Sequence, residues 1–487
     1  MDESATEALS SQERTEDAAR PAADSKSAPA AQVGPGHSSW ITEGSIPRAV
    51  FRLALPTWGA FLSHDLMGMV DMFFVGKLGA SAVAAVAMSG AVFGIIIMLG
   101  HGITVGTTAL VANAFGRGER DTAGHATGQT LSMAAVLSVV VAAAGISLAA
   151  AMLRLMGAEP DVVARGTGYL RVVSGGAFAM MVSMSLGATL RGAGDAMTPF
   201  RAMTIANVTN AVLDPIFIFG WLGFPALGVV GSAWATLVGR IVGAVLMMRA
   251  FISARAIVRL RLRDLRPRAA IMAQICRIGG FASGRMLVRN VAGLLLMRLV
   301  AMFGTVPVAA YGIGLRLHMV LFGPTMGFAT AAGTMVGQNM GAGQSRRATR
   351  SAWIAAGIAM TVAFCITVVF WATAGFLVRV FNNDPEVVWT GTVLLRWFAA
   401  SFVFLALAIV LGHAMNCAGD TLRPMIITTV ALVVTGVPLA YALATLWNSV
   451  EGIWVALFTS NVLAGLLSAA VFRRGRWRAT SLQRSDG

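Results

Sequence analysis

Between Ala49 and Val471 the chain is a succession of apolar stretches, each closed by a glycine-, proline- or arginine-rich break. Crossing the hydrocarbon of a bilayer takes about 20 apolar residues of helix. Marking the breaks gives twelve candidate spans, over residues 49–76, 82–108, 124–152, 165–190, 197–220, 227–252, 271–302, 308–335, 351–377, 388–416, 423–447 and 452–472. Only 12% of the 487 residues are charged and 56% are hydrophobic, whereas a soluble protein carries roughly 25% charged residues. Much of the surface therefore does not face water, and the expected fold class is all-α integral membrane.

The net charge of +15 does not point to nucleic acid, because the basic residues sit in short loops and at the C-terminal end. Arg117 and Arg120 follow the second span, Arg191 and Arg201 bracket the link between the fourth and fifth, and a basic stretch with Arg259, Arg261, Arg263, Arg266 and Arg268 follows the sixth. Arg346, Arg347 and Arg350 follow the eighth, Arg423 the tenth, and Arg473, Arg474, Arg476 and Arg478 the twelfth. All these loops share one side, and the positive-inside rule makes that side cytoplasmic. The opposite loops carry few positives, among them Lys77, Arg154 and Arg379. The expectation is a multi-pass protein of the plasma (inner) membrane with both termini cytoplasmic. Residues 1–45, rich in Ala, Ser, Glu and Asp, read as a disordered tail without the layout of a signal peptide. Residues 475–487 read as a second, basic tail. Cys276, Cys365 and Cys417 show no metal or redox spacing.

The chain also repeats itself. Gly116 and Gly118 recur as Gly341 and Gly343, 225 residues on, and the same offset carries Arg191-Gly-Ala-Gly-Asp195 onto Asn416-Cys-Ala-Gly-Asp420 and Pro199 onto Pro424. It also carries Gly68, Met72, Val75 and Gly79 onto Gly293, Met297, Val300 and Gly304. One ungapped register from the first span into the fifth indicates two halves descended from a six-helix unit, residues 46–252 and 271–474, joined by a basic linker at 253–270. An even number of crossings makes the halves parallel repeats about an axis along the membrane normal, a construction used by transporters.

The motifs have a family likeness. Val70-Asp71-Met-Phe-Phe-Val-Gly76 with Leu78-Gly79 resembles the first helix of multidrug and toxic compound extrusion (MATE) transporters. Asn210-Ala-Val-Leu-Asp214-Pro215 through Gly220 resembles their fifth helix. Ala310-Tyr311-Gly-Ile-Gly-Leu-Arg316, Pro324 and Val336-Gly337-Gln338-Asn339-Met-Gly341-Ala-Gly343 resemble the eighth helix and its following loop. The likeness runs from about Ile46 to Arg474, and the C-terminal half is most similar to the DinF-like branch. The resemblance implies a MATE-type fold of twelve transmembrane helices in two lobes, and export of organic compounds, often cationic and amphipathic, against a proton or sodium gradient. It implies coupling carboxylates at Asp71 and Asp214 with Asn210 as polar partner, the same three residues then being candidates to touch substrate. A sodium-coupled multidrug exporter and a lipid-linked saccharide flippase are the alternatives.

Physical reading of the residues runs beside that likeness. An ionisable group inside a span is costly and functional by default. Asp71 lies roughly 20 residues into its helix and Asp214 about 17 into its own, so at about 1.5 Å per residue they reach similar depth. Two carboxyls close together in a dry site cannot both ionise cheaply, and a proton shared there suits proton coupling. Asn210 and Asp214, four residues apart, share a helix face, and Pro215 removes a backbone donor, so a bend is expected beside the acid. Positions 225 further on are Leu296 and Leu439, which puts coupling in the N-terminal half. His64, one face with Asp71, and Thr236 of the sixth span are further ion-coupling candidates, and Asp65, whose repeat equivalent is Asn290, reads as a retained polar packing position. His101, His318 and His413 read as interhelical hydrogen bonders. Arg285, Arg289, Arg298 and Arg316 receive no role and are read as lying near helix ends or snorkelling. No Walker A, HExxH or GxSxG motif occurs in this sequence. The chain is therefore expected to be no enzyme, to need no cofactor or metal beyond an ion gradient, to work as a monomer in the lipid bilayer, and to take small organic molecules as partners.

Overall fold

A computed structural model describes residues 39–253 and 257–480, and their regular structure is entirely helical. Twelve elements follow in order: α1 (Ile46–Gly76), α2 (Ala80–Gly116), α3 (Arg120–Leu155), α4 (Pro160–Gly175 and Ala177–Gly192), α5 (Met197–Phe219) and α6 (Val229–Ile252). The second set is α7 (Ala269–Ala301), α8 (Thr305–Gly341), α9 (Ser345–Arg379), α10 (Pro385–Cys417), α11 (Leu422–Trp447) and α12 (Glu451–Arg473). Eight of these helices are long and apolar enough to cross a membrane, and nine if the two pieces of α4, bent by 46°, form one span. Polar residues explain why two others read poorly as spans: α1 carries His64, Asp65 and Asp71, and its repeat mate α7 carries Arg277, Arg285, Arg289 and Arg298.

Helices overrun the expected spans by several residues at the basic end, where polar residues continue the helix into water. Two irregularities were not legible from apolar runs. The bend in α4 falls at Gly176, and a π-helical stretch, Thr429–Gly436, interrupts α11. α5, in contrast, continues unbroken through Pro215 to Phe219, so the expected bend is not a break in the helix.

The halves are related by a two-fold axis, as the contacts between them show. Gly116 lies where an added Cβ would meet the carbonyl oxygen of Gln338 at 2.0 Å, and Gly341 where it would meet that of Asn113 at 2.1 Å. Asn113 Nδ2 donates to the Cys417 carbonyl at 2.8 Å, and its mate Gln338 Nε2 donates to the Gly192 carbonyl at 2.8 Å. Gly102 sits against Gly279 and Ser283, while Gly327 sits against Ala54 and Trp58. Each pair is the other shifted by 225 residues. Residue i meets j and the mate of j meets the mate of i, as in an isologous dimer interface. Small residues let these backbones touch.

All of these cross-lobe contacts lie in the half of the bundle nearest the basic loops. Towards the other end, Leu62, Leu66 and Met69 of α1 and Leu287, Val291 and Leu294 of α7 are exposed. The lobes are sealed at the basic end and part towards the opposite one.

The expected tails and linker are more ordered than composition suggested. Residues 39–45 of the expected N-terminal tail pack on the bundle: Ile41 is fully buried, the Arg347 guanidinium donates to the carbonyls of Ile41 and Gly44, and Arg52 lies over the Trp40 ring at 4.5 Å. At the other end Trp477 is buried and stacked on Phe472. Residues 1–38 and 481–487 of those tails lie outside the described residues. The linker is pinned to α3, since Gln129 donates to the carbonyls of Asp264 (2.8 Å) and Arg266 (2.7 Å) and accepts from the Arg268 amide (2.7 Å).

Candidate functional site

Three helices of the first lobe converge on one polar cluster. α1 joins α5 through Asn207 Nδ2, which donates to Ser63 Oγ at 2.9 Å, and through Gly59 pressed on Phe200. α6 joins α5 where Gly239 lies against Ala206 and Asn210. These close approaches bring Asp71 of α1, Asp214 of α5 and Ser232 of α6 together. The Ser232 hydroxyl donates to Asp71 Oδ1, and Asn210 Nδ2 donates to Asp214 Oδ1 at 3.2 Å. Asp214 is fully buried and its second oxygen, Oδ2, has no partner. Asp71 is half-buried and close enough to Asp214 for the two charges to interact.

The other expected residues fall around this pair unevenly. Thr236 stands one turn from Ser232 on the same face of α6 and is half-buried. His64 is exposed, with Asp65 and Arg240 as its charged neighbours, so it joins the edge of the cluster. Asp65 is exposed. Three contributors went unnoticed in the sequence. Ser232 binds Asp71 directly, Arg240 lies within electrostatic range of Asp71 and over the Phe93 ring at 5.0 Å, and Tyr169 of α4 lies within electrostatic range of Asp71, Asp214 and Arg240. Arg240 carried a signal: a charge midway along an apolar helix, two turns from Ser232 with Thr236 between. Ser232 and Tyr169 carried none, since such residues are common in apolar helices.

The second lobe provides an internal control. The positions equivalent to Asp71, Asp214 and Ser232 are Leu296, Leu439 and Leu457, and all three pack in one apolar cluster around Trp454 and Tyr311. The same meeting point of three helices is thus a carboxylate pocket in one lobe and a hydrocarbon core in the other.

The arginines of α7 depart from the snorkelling expectation. Arg285 and Arg289 sit mid-helix and half-buried, with the Arg285 guanidinium against Gly412 of α10. A side chain this far from either helix end does not reach the interface, so these charges belong to the interior. Arg298 is in the last turn of α7, as expected of a charge near a helix end. Arg316, well inside α8, is exposed.

A duplicated twelve-helix bundle, with a cleft between its lobes and charges held at depth, defines the chain as a multi-pass membrane transporter. It belongs to the MatE family, whose model matches residues 56–216 and again residues 282–442, one match per lobe. Among curated relatives it is similar to a probable multidrug resistance protein NorM of Thermotoga maritima, 26% identical over 439 residues spanning 89% of this chain and 93% of that one. It is likewise similar to an FAD transporter of Shewanella oneidensis, 26% identical over 426 residues, 88% of this chain and 94% of the relative. A solved structure described as the outward-facing conformation of a multidrug resistance MATE family transporter superposes with a TM-score of 0.84 at 25% identity, covering 91% of this chain and 98% of that one. Family members are transporters, and the chain is not an enzyme.

Proposed function

We propose that the protein exports small organic compounds in exchange for protons, and that Asp71 and Asp214 are the proton-binding groups. One observation carries the reading: Asp214 is fully buried with Oδ2 lacking any partner, beside a second carboxylate. A buried polar atom without a hydrogen bond is costly, and two adjacent buried carboxylates repel. A proton on the pair relieves both costs, and its loss restores them. Arg240 offsets part of the negative charge when both acids are ionised. Ser232 and Asn210 hold the two carboxylates in place, and Thr236 and His64 lie where protons would enter or leave the cluster.

On the same reading the membrane is the plasma membrane and the basic loops are cytoplasmic, and the seal at that end with the parted lobes opposite then supports an outward-open state. Proton binding in the first lobe favours one packing of the seal over the other, and rocking of the lobes moves cargo across. The relatives' names cover drugs and FAD, so they support an organic cargo without fixing its charge. The chain carries out this cycle as a monomer.

The test is a flux assay on the full chain in proteoliposomes. An imposed pH gradient, without sodium, is expected to drive movement of fluorescent drugs or organophosphates, reported by an entrapped pH dye as compound-elicited proton flux. The Asp71→Asn, Asp214→Asn double variant is expected to abolish it. Flux that needs a sodium gradient, or that survives in the double variant, overturns the reading.

A further inference from the structure

The transport reading leaves one charged cluster unused. Around the floor of the cleft, just beyond the seal, four helices of both lobes each contribute a basic side chain: His101 (α2), Arg191 (α4), Arg285 (α7) and His413 (α10). His413 has His101, Arg285 and Arg191 as its charged neighbours, and His101 has Arg285 and Arg191. Arg289, one turn along α7, adds a further cation beside Arg285 and His318. All six keep accessible surface although they lie deep in the bundle, which places open space against them.

Among the described residues, no carboxylate faces any of the six. The neighbours that act on these groups are each other, and no ion pair or side-chain hydrogen bond joins the three guanidinium groups to an acid among the described residues. An unpaired charge at this depth is costly in either a membrane or a protein interior. Two arginines from one helix and one from the facing lobe, with histidines between, make a concave set of donors. Guanidinium groups bind phosphate oxygens in bidentate fashion, and such a set is complementary to a compact polyanion and repels a cation. The two-fold relation adds to this: the mate of Arg289 is His64, so both lobes place a basic group at the same height of the cleft.

We propose that Arg191, Arg285 and Arg289, with His101, His318 and His413, bind an anionic, phosphate-type group of the transported compound, so that the cargo is an organic anion and not a lipophilic cation. The assignment rests on the export reading for its meaning. Its test does not, because binding is measured at equilibrium with no gradient. The acid pair of the first lobe takes the proton, and the basic floor takes the cargo. The two ligands occupy different groups and communicate through the packing of the lobes.

The phosphate group has two sources, a soluble ester or a lipid headgroup, and the experiment separates them. Radiolabelled ADP is titrated onto the purified full chain in detergent, with phosphatidylglycerol and phosphatidylcholine as competitors. In a parallel arm, phosphatidylglycerol binding is measured directly, and tetraphenylphosphonium serves as the cationic comparison. Saturable ADP binding that phosphatidylglycerol does not displace assigns a soluble cargo. Phosphatidylglycerol binding that displaces ADP, or occurs without it, assigns a lipid. In either case the Arg285→Gln, Arg289→Gln double variant is expected to weaken binding by about tenfold or more, the scale of one lost charge-assisted pair. The Arg285→Lys, Arg289→Lys variant is expected to retain part of it. Gel filtration of each variant confirms folding. The proposal is overturned if neither probe binds, if binding is indifferent to removal of the two arginines in a folded variant, or if tetraphenylphosphonium binds while both anions do not. Failure of pH-driven flux with this binding intact would instead count against the proton-exchange reading alone.

Discussion

Asp214 and Leu439 occupy equivalent places in the two lobes, and the difference between them separates a titratable residue from a packing one. Leu439 fills its place in a cluster with Leu296 and Trp454, so nothing there is left unpaired. Asp214 keeps one oxygen satisfied by Asn210 and leaves the other bare. Replacing it by asparagine keeps the shape and removes the titration. Asp214→Asn is expected to lower pH-driven flux by about a hundredfold, the scale of losing a positioned proton-transfer group, with the fold intact by gel filtration. Ser232→Ala, which removes only the partner of Asp71, is expected to cost about tenfold at most. Equal losses in the two variants would mean that hydrogen bonding, not protonation, is what matters. The acids were legible in the sequence because a charge in an apolar run stands out, and Asn210 because it shares a helix face with Asp214. Their partners were not, because a serine at position 232 or a tyrosine at 169 acquires meaning only when α4 and α6 are laid against α1.

The helices were legible as elements because lipid demands long apolar runs, and their pairing in two sets of six followed from the 225-residue register. The cross-lobe seal was half-visible: Gly116 and Gly341 stood in the repeat, but only the folded chain shows Gly341 pressed on Asn113. A methyl group there would lie 2.1 Å from a backbone oxygen that cannot swing away. Overpacking of this kind costs about 1–3 kcal/mol, all of it in the sealed state. Gly341→Ala is therefore expected to populate the unsealed state more. Cys417, buried at the seal beside Gly333 and Gly337, reports this directly once Cys276 and Cys365 are replaced by serine. Its maleimide labelling is expected to accelerate about fivefold or more, and an unchanged rate contradicts the assigned seal. The link between the lobes makes a separate prediction. Gln129→Ala strands the carbonyls of Asp264 and Arg266 and the Arg268 amide, and detergent-solubilised protein is expected to lose about 2–3 kcal/mol of stability. A loss below about 0.5 kcal/mol would mean that water replaces Gln129 without cost. Composition hid this attachment, since a basic stretch reads as linker wherever it docks.

The whole molecule combines a two-fold frame with an asymmetric filling. Backbone contacts across the lobes obey the repeat, while charge does not: carboxylates gather in the first lobe and arginines of α7 in the second. In the proposed cycle, symmetry supplies two packings of similar energy and asymmetry lets a proton choose between them, since a ligand shifts such an equilibrium only by its differential affinity for the two states. The sequence foretold the frame, and it understated the basic floor because an arginine in an apolar run reads as reaching for the interface. The most direct test needs no cargo. Met69 and Leu294 are repeat mates on α1 and α7, 70% and 72% exposed, and spin labels at Met69→Cys and Leu294→Cys in a chain lacking Cys276 and Cys365 report the separation of the lobes. The account predicts that the distance distribution of the reconstituted protein shifts between alkaline and acidic buffer, and that the Asp71→Asn, Asp214→Asn double variant holds one distribution at both. A pH-dependent shift that persists without the two carboxylates would contradict it.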